Sequence, residues 1–367
     1  MNTQKLVNNF LRYVQIDSES FNELEMAKAV AAELKEIGFE VYMDDCGKNF
    51  GSNAGNVYAT LKGDESKETL LFSAHMDTVK PGNGVKPIIT DGVIHTDGTT
   101  VLGGDDKSGI VSIIEAVRTI KEEGLNHPTI EVVFTVCEEV GLLGSRHLDY
   151  SRITAKKAVV LDSSGDAGTI LNGAPGQIKI DGCFVGKAAH AGIAPESGIS
   201  AIQIAAEAVS NMKLLRIDEE TTANIGTFCA EYATNIVPEK VRFIAEARSR
   251  NDEKLSEQKA HMVKCIEDAC AKFGGKWEGK VLDMYSAYSV TADDEWLCHV
   301  VKACEQAGLV ADIKPSGGGS DANNMNRNGI RALVLGTGMS KVHSVNEEIT
   351  IANLENTTKL CIQLTQM

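Results

Sequence analysis

Apolar residues follow two alternating patterns along the first half of the chain. A spacing of three and four predicts amphipathic helices over residues 4–14 and 23–37, and Gly38 ends the second helix. Short continuous apolar runs predict buried strands over 56–61, 69–74, 131–136 and 158–161. A glycine-rich turn precedes one more predicted helix, over 108–123. Because buried strands that alternate with helices form parallel sheets covered on both faces, we predict an α/β fold with a mixed, mostly parallel sheet.

The pattern changes near Pro175. The next segment has the order strand, helix, strand, strand, helix, strand, over residues 177–185, 199–213, 222–230, 240–248, 253–273 and 276–284. This β-α-β-β-α-β order is typical of ferredoxin-like α+β domains. The first pattern then returns, with helices over 294–307 and 351–365 and strands over 310–313 and 331–335. We therefore expect one domain built from 1–176 and 285–367, with a second domain, 177–284, inserted into it.

Composition narrows the range of partners. The 367 residues include 51 acidic and 36 basic ones, and the net charge of −15 argues against nucleic acid and anionic membranes as partners. The sequence lacks both a signal-peptide pattern and an apolar stretch near the roughly 20 residues that a membrane-spanning helix needs. Nine cysteines without a Cys-x-x-Cys pair are typical of buried thiols in a reducing compartment, so we expect a cytoplasmic protein.

Metal-binding residue types stand at the ends of the predicted strands and in the turns beside them. The carboxyl ends of strands in an open α/β sheet meet at one edge, where active sites gather. Two histidines and several carboxylates are expected there, and this combination is typical of two-metal hydrolases. The residues are His75, Asp77, Asp105, Glu138, Glu139, Asp162 and His343. Asp77 lies two residues after His75, so its side chain can orient the imidazole ring.

Each of these features has an ordinary structural explanation when it is taken alone. A lone His-x-Asp is usually structural, two adjacent glutamates usually lie on a solvated helix face, Asp105 could be a helix N-cap, and Asp162 could be a loop residue. Their joint placement favours the metal site. The sequence lacks the His-Glu-x-x-His helix of single-zinc proteases, the Gly-Lys-Ser/Thr of a phosphate loop and the Gly-x-Ser-x-Gly elbow of serine hydrolases.

The chain resembles the co-catalytic zinc exopeptidases, a family that includes tripeptidase T, glutamate carboxypeptidase and the aminoacylases. The resemblance extends over nearly all 367 residues, and its motifs are specific in combination: Ser-Ala-His75-Met-Asp77-Thr, Leu-Gly-Gly-Asp105-Asp-Lys-Ser-Gly, Thr-Val-Cys-Glu138-Glu139-Val-Gly, Val-Leu-Asp162, Ala-Ala-His190-Ala-Gly and Lys-Val-His343-Ser. Within the family, the chain is most similar to peptidase T and its shorter relatives. The resemblance implies a zinc-exopeptidase catalytic domain with an inserted ferredoxin-like domain that serves as a lid and dimerisation element.

The resemblance also implies a role for each residue of the metal site. Asp105 would bridge two zinc ions, with His75 and Asp162 on one ion and Glu139 and His343 on the other. Glu138 would be the general base that activates the attacking water. Cobalt or manganese would suit the same nitrogen and oxygen ligands.

Residues of the inserted domain and a glycine-rich loop are candidates for binding the substrate. The resemblance implies that His190 stabilises the oxyanion, often across the interface of a homodimer, whereas the motif alone also suits an ordinary loop histidine. Arg248 ends a strand and could hold a substrate carboxylate, or could form a surface salt bridge. Asn235 lies in the same domain. A glycine loop is formed by Gly317, Gly318 and Gly319. Its backbone N–H groups could bind that carboxylate, and a flexible loop without this role is the alternative.

These features lead to a prediction of short peptides as substrates. The resemblance implies an aminopeptidase that releases the N-terminal residue of tripeptides. A carboxypeptidase or an N-acyl-amino-acid deacylase could use the same metal site. A third possibility is a metal-binding or assembly protein with a relict site, but such a protein would have no use for the free base Glu138.

Overall fold

The computed structural model describes residues 1–366 and divides the chain into two compact units. The first comprises Met1–Gly173, Ser289–Ser316 and the chain from Ser320 onward, and the second comprises Ala174–Tyr288 together with Gly317–Gly319. The helices, in chain order, are α1 Thr3–Val14, α2 Leu24–Ile37, α3 Gly104–Glu123, α4 Leu143–Arg146, α5 Ala201–Asn211, α6 Asp252–Phe273, α7 Glu295–Gln306, α8 Asp321–Arg327 and α9 Ile351–Gln366. Short 3-10 turns cover Cys46–Asn49, Tyr150–Arg152 and Pro195–Ser197.

The structure has more strands than the sequence predicts. In chain order they are β1 Glu40–Met43, β2 Val57–Leu61, β3 Leu70–His75, β4 Ile88–Thr90, β5 Val93–His95, β6 Ile130–Thr135, β7 Lys157–Ser163, β8 Thr169–Leu171, β9 Gly173–Ala174, β10 Gly176–Val185, β11 Leu215–Arg216, β12 Thr221–Cys229, β13 Lys240–Ser249, β14 Lys276–Tyr285, β15 Tyr288–Ser289, β16 Asp312–Lys314, β17 Arg331–Gly336 and β18 Ile349–Thr350. The predicted buried strands correspond to β2, β3, β6 and β7, and the strand predicted over 310–313 corresponds to β16. The strands that the apolar pattern missed are short, among them β1, β4, β5 and β8.

The main sheet of the first unit has the order β1-β2-β6-β3-β7-β17-β8-β16. Its centre is parallel, because β6, β3, β7 and β17 all run in one direction. β1 and β2 pair antiparallel with their neighbours, and β8 pairs antiparallel with β17 and parallel with β16. Every residue of β3 and β6 is buried, which explains why these strands appear in the sequence as unbroken apolar runs. The predicted α/β class with a mixed, mostly parallel sheet is confirmed.

Helix α3 shows how the core of the first unit is built. Every residue from Gly104 to Val117 is buried. Polar residues such as Ser112 and Glu115 are buried together with the apolar ones, so this part of the helix has no face exposed to water. Burying a side chain such as Ile113 or Ile114 stabilises the fold by about 2 kcal/mol each. This rigid element carries Asp105 at its amino end.

The second unit is a five-stranded antiparallel sheet of order β11-β12-β13-β10-β14, with α5 and α6 packed on one face. Without the short β11, its order along the chain is β10-α5-β12-β13-α6-β14, which is the predicted ferredoxin-like arrangement. Strands β10 and β13 alternate buried and partly exposed residues, so one face of the sheet packs on the helices. Phe184, Phe243 and Trp277 form an edge-to-face aromatic cluster in this core, with ring centroids 5.0–5.9 Å apart.

Candidate metal centre and active site

Three neighbouring strands bring the predicted metal ligands of the first unit to one edge of the sheet. Strands β6, β3 and β7 are adjacent and parallel, so their carboxyl ends lie side by side. His75 is the last residue of β3, Glu138 follows the end of β6, and Asp162 is next to last in β7. The topology of the sheet therefore brings together side chains that are as far apart in sequence as His75 and Asp162.

Asp105 lies between the two histidines. Its Oδ1 is 3.1 Å from Nε2 of His75, and its Oδ2 is 3.2 Å from Nε2 of His343. Asp162 approaches the first histidine, with Oδ1 at 3.8 Å from Nε2 of His75, and Glu139 approaches the second, with Oε1 at 2.9 Å from Nε2 of His343. The five side chains thus form two groups, each able to hold a metal ion, which share Asp105.

The chemistry of this donor set fits cations. Glu138, Asp162 and Asp105 are largely buried, and burial raises the pKa of Glu138 and of Asp162 well above the usual range. Within residues 1–366, Oε1 of Glu139 is buried without a hydrogen bond, although Nε2 of His343 lies 2.9 Å away. Carboxylates gathered out of water need opposite charge. Metal ions on the imidazole nitrogens and carboxylate oxygens would supply that charge.

Asp105 raises the pKa of both histidines, together with a different second carboxylate in each case. Asp105 and Glu139 raise the pKa of His343 to about 10. Burial acts against the charged form of His75, but contacts with Asp105 and Asp77 raise its pKa well above the usual range. Burial would raise the pKa of Asp105, and its contacts with His343 and His75 lower it instead. A metal ion would replace these protons, since a ligating histidine is neutral.

Asp77 lies behind the predicted metal ligands and forms hydrogen bonds to the chain that carries them. Its Oδ1 accepts the backbone N–H of Glu138 at 2.9 Å, and its Oδ2 accepts the N–H of Glu139 at 3.2 Å and the hydroxyl of Ser20 at 2.7 Å. Nδ1 of His75 lies 2.9 Å from the carbonyl oxygen of Asp77, which can only accept. The neutral imidazole therefore carries its proton on Nδ1 and leaves Nε2 for the metal side. Asp77 thus orients the two glutamates as well as the histidine.

Glu347 is a buried acid at the centre that the sequence reasoning did not assign. Its Oε2 accepts the N–H of Gly103 at 2.8 Å, and its Oε1 accepts the N–H of Asp105 at 2.9 Å. Burial raises its pKa to about 7. It lies four residues after His343, so it ties the loop that carries one histidine to the turn that presents the shared carboxylate.

Asp321 is a second buried acid that was missed. It accepts a hydrogen bond from the hydroxyl of Thr135 at the end of β6, and its charge contributes to raising the pKa of Glu138. No local pattern marked either acid, because the partners of Glu347 and Asp321 are more than 180 residues away in sequence.

The candidate substrate residues of the second unit fall on two parts of that unit. His190 and Asn235 are exposed and lie on paired segments, because the N–H of Ala191 donates to the carbonyl oxygen of Asn235 at 2.8 Å. Arg248, on β13, donates from Nε to Oε1 of Glu246 at 3.0 Å and from a terminal nitrogen to Oε2 at 3.1 Å. The guanidinium thus already holds a carboxylate in a bidentate fork.

The glycine loop 317–319 belongs to the second unit. A Cβ on Gly319 would lie 2.3 Å from the ring of Tyr285, so only glycine allows the loop to approach this side chain. Gly317 has open space around its Cα, and Gly318 also makes polar contacts. Within the described residues, every helix is too short or too polar to cross a bilayer.

Comparison with known proteins decides the family. The model of peptidase family M20/M25/M40 matches residues 71–366. The chain belongs to this family. The family assignment confirms the predicted resemblance and makes the protein a peptidase, and the clustered ligand groups fit the metal-dependent chemistry predicted for it.

Among solved structures, the M20 chain is similar to an aminopeptidase PepT of Bacillus cereus, with 43% identity, a TM-score of 0.91 and coverage of 100% of this chain and 98% of the other. It is also similar to a tripeptidase of Staphylococcus aureus, with 38% identity, a TM-score of 0.95 and the same coverage. Peptidase T of Brevibacillus brevis is 27% identical over 420 aligned positions, covering 99% of this chain and 98% of its own.

The contacts of Glu347 predict how metal affinity depends on it. Glu347→Ala leaves the N–H groups of Gly103 and Asp105 without their acceptor, so the turn loses its fixed position. We expect affinity for zinc to fall about 10- to 100-fold, measured by competition with a chromogenic chelator. Glu348→Ala is the matched control, because that side chain pairs with Lys341 on the surface. Unchanged affinity in a folded Glu347→Ala protein would contradict this role.

Proposed function

We propose that this M20 peptidase is a dinuclear zinc aminopeptidase that releases the N-terminal residue of tripeptides. The observation that carries the proposal is the position of Asp105, whose two oxygens face His75 and His343 separately. One carboxylate that serves two histidine-containing groups suits a pair of ions rather than one. The similarity to proteins named as an aminopeptidase and a tripeptidase supports the substrate class.

Five residues would hold the ions. His75 and Asp162 would bind one, Glu139 and His343 the other, and Asp105 both. Three carboxylates carry −3 against +4 for two divalent ions, which leaves a net charge that one anionic oxygen balances. When bound, the ions would polarise the scissile carbonyl and lower the pKa of the attacking water. Zinc suits this ligand set, and cobalt or manganese could replace it.

Glu138 is assigned as the general base. Its carboxylate is buried beside the ligand groups, and Asp77 fixes its backbone N–H. In the proposed reaction, Glu138 takes a proton from the attacking water and later returns it to the leaving amine. Burial and the charge of Asp162 raise its pKa, which improves its ability to hold that proton between the two steps.

The second unit would supply the groups that bind substrate. We assign His190 to stabilisation of the oxyanion, and Arg248, Asn235 and the loop 317–319 to binding of the peptide carboxylate. The fork of Arg248 around Glu246 supports the assignment, because the same geometry binds a substrate carboxylate. A peptide carboxylate would then displace Glu246 from Arg248 or share the guanidinium with it.

Two further assignments concern the protein in the cell. We infer a homodimer, in which the exposed His190 of one chain reaches the site of its partner. We also infer a cytoplasmic location, which is supported by nine cysteines that are all free.

The substrate class is tested with one neutral tripeptide offered to zinc-loaded protein, both free and N-acetylated. We expect hydrolysis of the free peptide alone, with its first residue as product, identified by mass spectrometry. Hydrolysis of the acetylated peptide would assign the site to a deacylase, or to a carboxypeptidase if the last residue is released. If neither peptide is hydrolysed although metal is bound, the proposal that tripeptides are the substrates is wrong.

The role of Glu138 predicts a variant that binds metal but does not turn over. Glu138→Gln keeps the shape of the side chain and removes the base, so we expect kcat to fall by about 10³-fold with the metal content unchanged. Steady-state kinetics and elemental analysis measure the two quantities. Glu253→Gln, an exposed change at the start of α6, serves as the control. Turnover close to that of the parent would refute the assignment.

The carboxylate clamp predicts a dependence on the C-terminus of the peptide. Amidation removes the charge that Arg248 would bind, so we expect KM to rise at least about tenfold for the amide, since a charged hydrogen bond contributes about 1.5–3 kcal/mol. Arg248→Ala should abolish the difference between acid and amide. Arg250→Ala is the matched control, because that guanidinium donates to the carbonyl oxygen of Glu219 instead. Equal KM values for acid and amide in the parent would exclude the clamp.

A further inference from the structure

The residue before the two glutamates has a backbone conformation that its side chain disfavours. Cys137 has φ of 52°, in the left-handed region that residues with a Cβ rarely adopt. It lies two residues after the end of β6, so this angle sets the direction of the chain just beyond the strand. Glu138 is the next residue, and its position depends on that direction.

One buried carboxylate stabilises this conformation. Glu23 is completely buried, and its Oε1 accepts the N–H of Cys137 at 3.0 Å and the thiol of Cys137 at 3.1 Å. The same oxygen accepts the N–H of Phe21 at 3.0 Å, and Phe21 is also left-handed, with φ of 75°. Oε2 accepts the hydroxyl of Ser52 at 2.8 Å. A single oxygen thus binds the N–H groups of two left-handed residues that are more than 100 positions apart.

We propose that Glu23 is a positioning residue for Glu138, which it places by holding Cys137 in the left-handed conformation. This inference rests on the proposed role of Glu138. Asp77 binds the N–H groups of Glu138 and Glu139 from the opposite end of the turn. The two acids therefore fix successive peptide groups, and Glu23 acts without contact to substrate or metal.

A merely structural role for Glu23 would have a different signature. If Glu23 only anchored the start of α2, the identity of residue 137 would not change the effect of losing it. If Glu23 acts through the angle at Cys137, a residue that adopts positive φ freely should make it dispensable. Glycine is that residue, because it has no Cβ to clash.

The test compares two variants of similar size. Glu23→Gln keeps an acceptor oxygen for the two N–H groups, whereas Glu23→Met keeps the volume and removes the acceptor. We expect Glu23→Gln to stay within about threefold of the parent in kcat and Glu23→Met to lose about 100-fold, with KM nearly unchanged, because a misplaced catalytic group reduces the rate on that scale. Glu23→Asp, which draws the carboxylate back by one methylene, makes the same comparison where Glu23→Met does not fold.

The second substitution decides between the two roles. Cys137→Gly added to Glu23→Met should restore kcat to within about threefold of Cys137→Gly alone, whereas Cys137→Ala, which keeps a Cβ, should restore nothing. Crystal structures of the same proteins should show φ of residue 137 positive in the glycine double variant and negative in Glu23→Met. Metal content and melting temperature are measured for each protein.

Two outcomes would overturn the proposal. One is full kcat in Glu23→Met, and the other is failure of Cys137→Gly to restore kcat in a double variant that folds and binds metal. If the parent hydrolyses no peptide, the proposed function fails by itself, and the φ of residue 137 in the crystal structures still decides the role of Glu23.

Discussion

The burial of several carboxylates at one edge of a parallel sheet is the constraint on which this structure depends. Asp105, Glu138 and Asp162 lie where like charges repel and water is scarce, an arrangement that costs free energy unless positive charge lies beside it. The surrounding structure is built to maintain it. Fully buried strands fix the positions of the ligands, and Asp77 and Glu347 use their own charge to bind backbone N–H groups of the turns that carry them.

Much of the fold follows from local pattern. The strands that carry ligands are unbroken apolar runs, so β3, β6 and β7 are evident in the sequence, and the helices α1 and α2 show a clear helical period. Other short elements do not stand out: β8 has three residues, β1 has four, and α8 has seven. Their formation depends on neighbours that only the assembled sheet provides.

The residues of the candidate site likewise include some that the sequence predicts and some that only the structure shows. His75, Glu138 and Asp162 could be proposed because strand ends converge by a general rule of topology. Glu23, Glu347 and Asp321 could not, since each binds groups distant in sequence and each stands in an unremarkable local context. Arg248 illustrates a further limit: its position on β13 was predicted, but its engagement with Glu246 depends on the face that both side chains share.

The pairing of the first and last strands of the second unit has a consequence for the history of the chain. β10 and β14 are antiparallel neighbours, with Gln177 opposite Tyr285, so the two ends of this unit emerge side by side. A segment whose ends meet can be inserted into another domain in place of one surface loop, because closing such an insertion costs little conformational entropy. Gain, loss or exchange of such a segment would leave the ligand-bearing strands β3, β6 and β7 uninterrupted. A chain organised in this way can vary the part assigned to substrate binding while the metal-binding sheet stays unchanged.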